Sequence, residues 1–365
     1  MVRHTRRPLG PRRLAVHHRS GGAARRGAAG LRGAGGRVTD LPPPRGAARR
    51  GKVFLNPDGS LPGQPLSAVW RMMREGRGTP WPGRVENPPF PPPPEPSPGE
   101  VVVTFIGHAS FLIRYPGGPA LLTDPIWSER CSPFRFAGPK RVRAPGLAFE
   151  ALPKIDTVLL SHNHYDHCDI PTLKRLQQRD APRIVTGLGN GRLLARHGMR
   201  DVVELDWWQE ARLPGGVTAC FTPARHFAAR GLHDRAHALW GGFALRDAAG
   251  TSLCFTGDSG WGAHFEEIGQ RRGPFDMALI PIGAYEPRWF MQAVHINPEE
   301  AVRAFQDLRA KRALAMHFGT FKLTQEAIDA PAEALSSALR AAGLAPEAFR
   351  VPGHGESVLI RPAPG

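Results

Sequence analysis

The sequence has few of the features that define disulfide-bonded, zinc-finger or membrane-spanning proteins. Only four of its 365 residues are cysteines, and no two of them form a Cys-x-x-Cys pair. This excludes a zinc-finger site and a disulfide framework, and it fits a reducing compartment. The longest apolar run, MALIPIGA at residues 277–284, is far shorter than the roughly 20 residues that a transmembrane helix needs. We therefore do not expect an integral membrane protein.

Acidic residues are almost absent from the first 50 positions, which hold thirteen arginines, no lysine and one acid, Asp40. Thirteen arginines less one aspartate give twelve of the sixteen net positive charges, so the remainder of the chain is close to neutral. A segment of Arg, Gly, Ala and Pro buries too little apolar surface to offset its ordering entropy, and we predict a disordered tail over residues 1–50. An over-extended start of the reading frame is a second explanation of this segment. Its charge favours loose attraction to anionic lipid or nucleic acid, or it has no specific partner.

The rest of the chain divides by composition into an extension and a folded domain. Residues 51–100 are predicted to form an extension with one short helix around LSAVWRMMREG and a proline-rich linker, NPPFPPPPEPSPGE. Residues 101–361 alternate predicted strands and helices and form the predicted folded domain. The unbroken apolar run TVLLS (157–161) predicts a buried strand, and Asn297 followed by Pro298 predicts a helix start. Many interleaved strands and helices favour two sheets covered by helices over one parallel sheet.

Three of the 15 histidines fall within six positions, in the motif HNHYDHCD directly after residues 157–161. Loops at the carboxyl ends of strands are the usual place for site residues. His162 and His164 point the same way on an extended segment and can bind one metal together, whereas Asp166 and His167 can bind a second. Imidazole and carboxylate ligands suit zinc, and also iron or manganese. A helix start capped by an aspartate would explain one acid but not three histidines.

Three more ligand-type residues follow predicted strands later in the chain. His226 comes after CFTPA, Asp258 after SLCFTG, and His317 after LAM. Each alone is explained equally well as a polar residue at a strand edge. Together with the first motif they indicate a metal site, in which Asp258 can use both carboxylate oxygens to bridge two ions.

This ordered set of histidines and aspartates resembles that of the metallo-β-lactamase superfamily. The resemblance implies an α/β fold, a four-layer αββα sandwich, with a dinuclear metal site at one edge. Longer segments, among them TFIGHASFLI, LLSHNHYDHCD, GAYEPRWFM and HFGTFKL, are similar to the N-acylphosphatidylethanolamine-hydrolysing phospholipase D family, and the likeness covers residues 101 to about 360. It implies two Zn²⁺ ions, one held by His162, His164 and His226, the other by Asp166, His167 and His317, with Asp258 bridging them.

The same resemblance assigns further roles near the metals. It implies catalytic roles for Asp166, Asp258 and His295. Substrate contacts are expected from a separate set of residues: Tyr165, Tyr285 and His354. For the two tyrosines, ordinary packing is an equally good interpretation.

Two other positions adjoin these predicted site residues. Mammalian members of the family have glutamine immediately before the counterpart of His295, where this chain has Val294, so the family's detailed headgroup contacts are not carried over to this chain. His108 of the GHAS motif is interpreted either as a residue that orients a metal ligand by a hydrogen bond or as a packed residue at a strand end.

The function implied is a dinuclear-metal phosphodiesterase that hydrolyses N-acylphosphatidylethanolamine-type phospholipids to phosphatidic acid and N-acylethanolamine through a metal-bridging hydroxide. Its expected partners are the phospholipid and a peripheral membrane surface, contacted by residues 51–98 and the arginine-rich tail, with a homodimer as one expected assembly. The expected location is the cytoplasm, at the inner membrane face. One alternative is a metal-dependent hydrolase of another ester, such as a sugar-phosphate lactone. A nucleic-acid-processing metallohydrolase is disfavoured because the region beyond the tail is close to neutral, so no specific nucleic acid is expected, and the complete ligand set disfavours a non-catalytic metal protein.

Overall fold

The computed structural model describes residues 41–76, 78–231 and 233–361, so most of the predicted tail, residues 1–40, lies outside the described residues. From Pro42 onward the chain forms one compact unit. This unit contains two seven-stranded sheets and a separate two-stranded ladder within the described residues.

The first sheet supports the segment that contains the H-x-H-x-D-H motif. In spatial order its strands are β16 (Ser357–Ile360), β3 (Val101–Gly107), β4 (Ser110–Arg114), β5 (Ala120–Thr123), β6 (Thr157–Leu160), β7 (Arg183–Gly187) and β8 (Val202–Leu205). Strands β5 to β8 are parallel. Every residue of β6 is buried, with Leu159 in the core between the sheets and Val158 and Leu160 in the layer beneath the helices. The predicted buried strand is thus confirmed, because burial on both faces requires an unbroken apolar run.

The second sheet carries the remaining predicted ligands. Its strands are β15 (Phe349–Arg350), β14 (Ala313–Met316), β13 (Met277–Pro281), β12 (Ser252–Phe255), β11 (Gly242–Arg246), β10 (Thr218–Thr222) and β9 (Glu210–Arg212). The segment HALWGGFALR has the apolar character of a strand, but β11 begins only at its second glycine. The backbone N–H groups of Leu239 and Gly241 donate instead to Leu188 and Ser161, in loops of the first sheet, so this stretch links the two sheets.

Helices cover the outer face of each sheet. Those described are α1 (Leu66–Arg74), α2 (Ile170–Arg179), α3 (Gly191–Arg196), α4 (His264–Arg272), α5 (Arg288–Met291), α6 (Pro298–Asp307) and α7 (Ala330–Ala341). Apolar residues of α2 and α3 pack on the first sheet, and those of α4, α6 and α7 pack with the second. The predicted αββα sandwich is therefore confirmed. The predicted start of α6 is also confirmed, since Asn297 and Glu300 form a reciprocal capping box.

The extension before residue 101 packs on this sandwich. Strands β1 (Arg49–Arg50) and β2 (Val53–Phe54) pair, and Phe54 is fully buried in the core. In α1, the guanidinium of Arg71 lies 4.0 Å over the ring of Trp289. The predicted domain boundaries at residues 50 and 100 stay predictions. Among the described residues, none of the helices has the length and apolar character that crossing a bilayer requires.

Candidate metal centre

The predicted ligands meet at one edge of the sandwich because each follows the carboxyl end of a strand. The motif loop leaves β6, His226 follows β10, Asp258 follows β12, and His317 follows β14 directly. His317 has a φ of 61°, in the left-handed region that non-glycine residues rarely adopt. Its backbone N–H donates to the carbonyl of His108 at 2.8 Å, which holds the strand end in this conformation.

Three histidines form the first group of ligand-type atoms. Nε2 of His162 approaches Nδ1 of His164 to 2.8 Å, and Nε2 of His226 lies 3.3 Å from that same Nδ1. On His226, Nδ1 lies 2.8 Å from the carbonyl of Val294. A carbonyl only accepts, so Nδ1 of His226 carries the proton and Nε2 presents a lone pair to the group. Because this contact uses the backbone of residue 294, the Val294 departure leaves it intact.

A second group forms around two carboxylates. Nε2 of His167 and Nε2 of His317 lie 3.0 and 3.1 Å from Oδ2 of Asp258, and each lies 3.3 Å from Oδ2 of Asp166. Oδ2 of Asp258 is also 4.0 Å from Nε2 of His162. Asp258 therefore lies between the two groups, at the place where the resemblance puts a bridging ligand.

Several of these atoms have no hydrogen-bond partner among the described residues. They are Nε2 of His167, Nε2 of His317 and Oδ1 of Asp258, all buried. The short contacts between nitrogen and carboxylate oxygen lack hydrogen-bond geometry. Buried polar atoms are normally satisfied, and buried nitrogen and carboxylate oxygen atoms that converge without hydrogen-bond geometry are typical of metal ligands. The residues at this edge thus fit a metal-binding site.

Burial sets the protonation of the first group. Loss of hydration lowers the pKa of His164 to about 3 and that of His226 to about 4, and it lowers the pKa of His162 well below its usual range. These rings are neutral at pH 7. Their lone pairs are therefore available without displacement of a proton.

Carboxylates reverse this trend in the second group. Burial alone would lower the pKa of His317, but the carboxylates of Asp258 and Asp166 raise it to about 9. Burial alone would raise the pKa of Asp258, but the rings of His167 and His317 hold it well below its usual range. Without a metal, protons on these rings balance the buried acids, so a cation that binds here replaces protons.

Asp124 and Ser161 support one histidine of each group, and the sequence reasoning missed both. The buried carboxylate of Asp124 accepts from the hydroxyl of Ser161 at 2.5 Å and from Nδ1 of His167 at 2.7 Å. The Ser161 hydroxyl oxygen in turn lies 2.9 Å from Nδ1 of His162 and accepts its proton. This fixes the tautomers of both rings with Nε2 toward the site. The signal was present, because Asp124 ends the segment ALLTD, which has the apolar character of a strand.

Two further residues hold the motif loop in place. Nε2 of His108 donates to Oδ2 of Asp166 at 2.9 Å, so the structure supports the interpretation of His108 as an orienting residue. Arg230, also missed, donates from one guanidinium nitrogen to the carbonyls of Asn163 at 2.9 Å and Cys168 at 2.8 Å. Both ends of the loop are thereby attached to the segment that follows His226.

The predicted substrate and catalytic residues lie at different depths. His295 is buried, with its ring 5.0 Å from that of His226, and its Nδ1 has no partner among the described residues. Tyr165 is half-buried and donates to the carbonyl of Arg230, while Tyr285 is buried in the loop that follows β13. Nε2 of His354 lies 3.1 Å from the hydroxyl of Thr320, which also accepts from the backbone N–H of His108. His354 is thus connected to the centre through intermediate residues, and its predicted substrate contact stays a prediction.

Comparisons with known proteins agree with this fold. The sequence profile of the β-lactamase superfamily domain matches residues 120–318. The chain is 39% identical over 231 residues to N-acyl-phosphatidylethanolamine-hydrolyzing phospholipase D 1 of Caenorhabditis elegans, a match that covers 60% of this chain and 64% of that protein. It is 30% identical to a metal-dependent hydrolase of Anaeromyxobacter sp. strain K, over 66% of this chain and 82% of that one. A solved metallo hydrolase from Ignicoccus hospitalis, 24% identical, superposes with a TM-score of 0.55 over 72% of this chain and 99% of its own.

The fold and the histidine–aspartate cluster define a metal-dependent hydrolase. More particularly, the chain belongs to the β-lactamase superfamily, as its sequence resemblance implied. It spans about 64% of the length of its nematode relative.

Proposed function

We propose that this hydrolase cleaves the phosphodiester of N-acylphosphatidylethanolamine-type lipids, releasing phosphatidic acid and N-acylethanolamine. The observation that carries the proposal is the convergence of two ligand groups around Asp258, in a chain 39% identical to a protein named for that hydrolysis. A phosphodiester carries a negative charge that a two-metal centre is suited to neutralise.

Two divalent ions, with zinc the first choice and iron or manganese the alternatives, would be held by the two groups. The three histidines of the first group would hold one ion, and Asp166, His167 and His317 the other, with Asp258 between them. When bound, such ions lower the pKa of water and offset charge on a phosphoryl group.

The protein's own residues would fix the geometry of this reaction. Asp258 joins the two groups, and His108 holds the carboxylate of Asp166 in place. His295 would hydrogen-bond a substrate oxygen, a role that its unpaired buried Nδ1 supports. No serine nucleophile is invoked, because the hydroxyl of Ser161 is committed to Asp124 and His162.

The substrate class also implies where the protein acts. A bilayer lipid is reached only at a membrane surface, so the proposal includes peripheral association with the inner face of the cytoplasmic membrane. The expected homodimer stays a prediction.

The test is mass spectrometry of the products that purified protein releases from a panel of phospholipids and lactones. We expect phosphatidic acid from N-acylated phosphatidylethanolamine, and loss of this product in Asp166→Asn. Asp201→Asn is the matched control, because Asp201 pairs with Arg183 at the surface. It lies just before β8, at the amino end of the strand, whereas the metal ligands follow the carboxyl ends of strands. Lactone opening with every phospholipid intact would refute the proposal and favour the lactonase alternative.

A further inference from the structure

A short hairpin-like loop projects beside the metal centre between Glu129 and Arg141. Its base is closed by backbone hydrogen bonds, from Arg141 N–H to the Glu129 carbonyl at 2.7 Å and from Cys131 N–H to the Pro139 carbonyl at 3.2 Å. The side chain of Arg130 also donates to the carbonyl of Gly138 at 2.6 Å. These bonds cross the loop and hold its tip, residues 132–138, in one conformation.

The tip exposes two large aromatic residues. The side chain of Phe134 is 55% exposed and that of Phe136 is 83% exposed. Their ring centroids lie 5.6 Å apart, so the two rings form one apolar patch. A single exposed apolar residue needs no explanation, but a contiguous aromatic pair at the tip of a fixed loop is typical of an interaction surface.

The surroundings of this patch are basic. Residues 129–143 include four arginines and one lysine against a single glutamate. Of these cations Arg135 and Lys140 are exposed, and Lys140 pairs with Glu129 at 2.9 Å. Arg135 stands between the two phenylalanines in the sequence. At a bilayer surface, aromatic rings insert at the boundary of the acyl chains, and arginine and lysine bind the anionic headgroups. The tip presents both kinds of residue side by side.

The patch also leads toward the predicted catalytic residues. A depression of about 860 Å³ is lined by Phe134 and Arg135 on one side and by Tyr165 and Arg230 on another. Tyr165 precedes Asp166 in the motif loop. A lipid held at the tip therefore lies beside a depression that extends to the motif loop, at the residue before Asp166.

We propose that the 132–138 tip is the membrane-docking element of this protein, with Phe134 and Phe136 inserted into an anionic bilayer surface. This inference rests on the proposed function for the choice of lipid as the partner. The sequence predicted docking by residues 51–98 and the tail. Here the docking element is instead one loop, whose aromatic side chains enter the membrane.

The experiment uses a fluorophore that responds to polarity, attached to Phe136→Cys in the full-length chain. The four native cysteines are buried, so labelling is directed to the new thiol. Leu359→Cys is the matched control, because Leu359 is also an exposed apolar residue (39%) but lies on the edge strand β16. Arg135→Cys is a second labelled position in the tip, used if Phe136→Cys does not fold as judged by its metal content.

With vesicles containing phosphatidylglycerol we expect a blue shift at position 136 and none at position 359. Phe136→Ser should weaken vesicle binding by about tenfold to 100-fold, the loss expected for one buried phenylalanine. Binding should also weaken as salt is raised, because the headgroup attraction is screened.

The proposal would be overturned if the wild-type protein did not bind vesicles, or if it bound them without a shift at the tip. It would also be overturned by a shift that depends on protein concentration in the absence of vesicles, because this would indicate that the tip contacts a second copy of the chain. Failure of the proposed function is distinguishable, since it gives a shift on vesicles but no product from any phospholipid.

Discussion

Replacing Asp124 by asparagine changes one buried carboxylate oxygen to an amide nitrogen at nearly constant size. The carboxylate now accepts from the Ser161 backbone N–H at 2.7 Å, the Ser161 hydroxyl at 2.5 Å and Nδ1 of His167 at 2.7 Å. An amide nitrogen in either position faces a donor and cannot accept from it. Asp124→Asn therefore breaks at least one of these bonds and releases the ring of His167, or of His162 through Ser161.

The expected size of the effect follows from the bonds lost. Partners that orient metal-binding histidines are worth about 10–100-fold in metal affinity, which is about 1.4–2.7 kcal/mol. Each hydrogen bond to a buried charge adds about 1.5–3 kcal/mol to folding stability, so the variant should also unfold at lower urea concentration.

The assay is a chelator competition that measures metal affinity and stoichiometry for zinc, with urea unfolding in parallel. Asp156→Asn is the matched control, because Asp156 precedes β6 and accepts from the Ala120 N–H, at the end of the strand remote from Ser161. We expect weaker zinc binding in Asp124→Asn and unchanged binding in Asp156→Asn. Unchanged affinity and stoichiometry in Asp124→Asn would refute the view that this carboxylate positions the metal-binding rings.

Three other predictions follow from the structure. Zinc affinity should rise with pH up to about 9, because His317 has its pKa raised to about 9 in the metal-free protein and keeps a proton at lower pH. Calorimetry in buffers of different ionisation enthalpy should therefore detect proton release when zinc binds at pH 7. Zinc binding without proton release would contradict this prediction. Arg230→Met should weaken zinc binding about tenfold by freeing both ends of the motif loop, measured by the same competition, whereas an unchanged affinity would make this contact dispensable. Gly269→Ala should lower the free energy of unfolding by about 1–3 kcal/mol, because an added Cβ would clash with the carbonyl of Asp307. Urea unfolding measures this loss, and the metal content per folded molecule should stay normal. Unchanged stability would contradict the close packing of Gly269.

The position of a site residue could be predicted where that residue directly follows a strand that is recognisable in the sequence. Strand β6 is buried on both faces, so its apolar run was visible, and the residues after it had to emerge at a sheet edge. The same rule located His226, Asp258 and His317. Asp124 obeys it too, but a single aspartate after a strand is common, and its bond to His167 spans 43 positions that no local pattern relates.

Two features of the fold depend on tertiary packing and could not be predicted from local sequence patterns. Helix α4 was not predicted, and its Gly269, a poor helix former, is required by the close approach of the segment that ends α6. The residues before Gly242 have the apolar character of a strand, yet their N–H groups donate across to the first sheet. Both departures depend on contacts between distant segments.

The proposed function requires that water attack phosphorus in a lipid phosphodiester, and oxygen labelling tests this step. The protein is incubated with N-acylphosphatidylethanolamine vesicles in H₂¹⁸O, and both products are weighed by mass spectrometry. We expect one ¹⁸O in phosphatidic acid and none in N-acylethanolamine, with no label incorporated by Asp166→Asn. Label in N-acylethanolamine or in a released fatty acid would place the cleavage at a different bond and refute the proposed reaction.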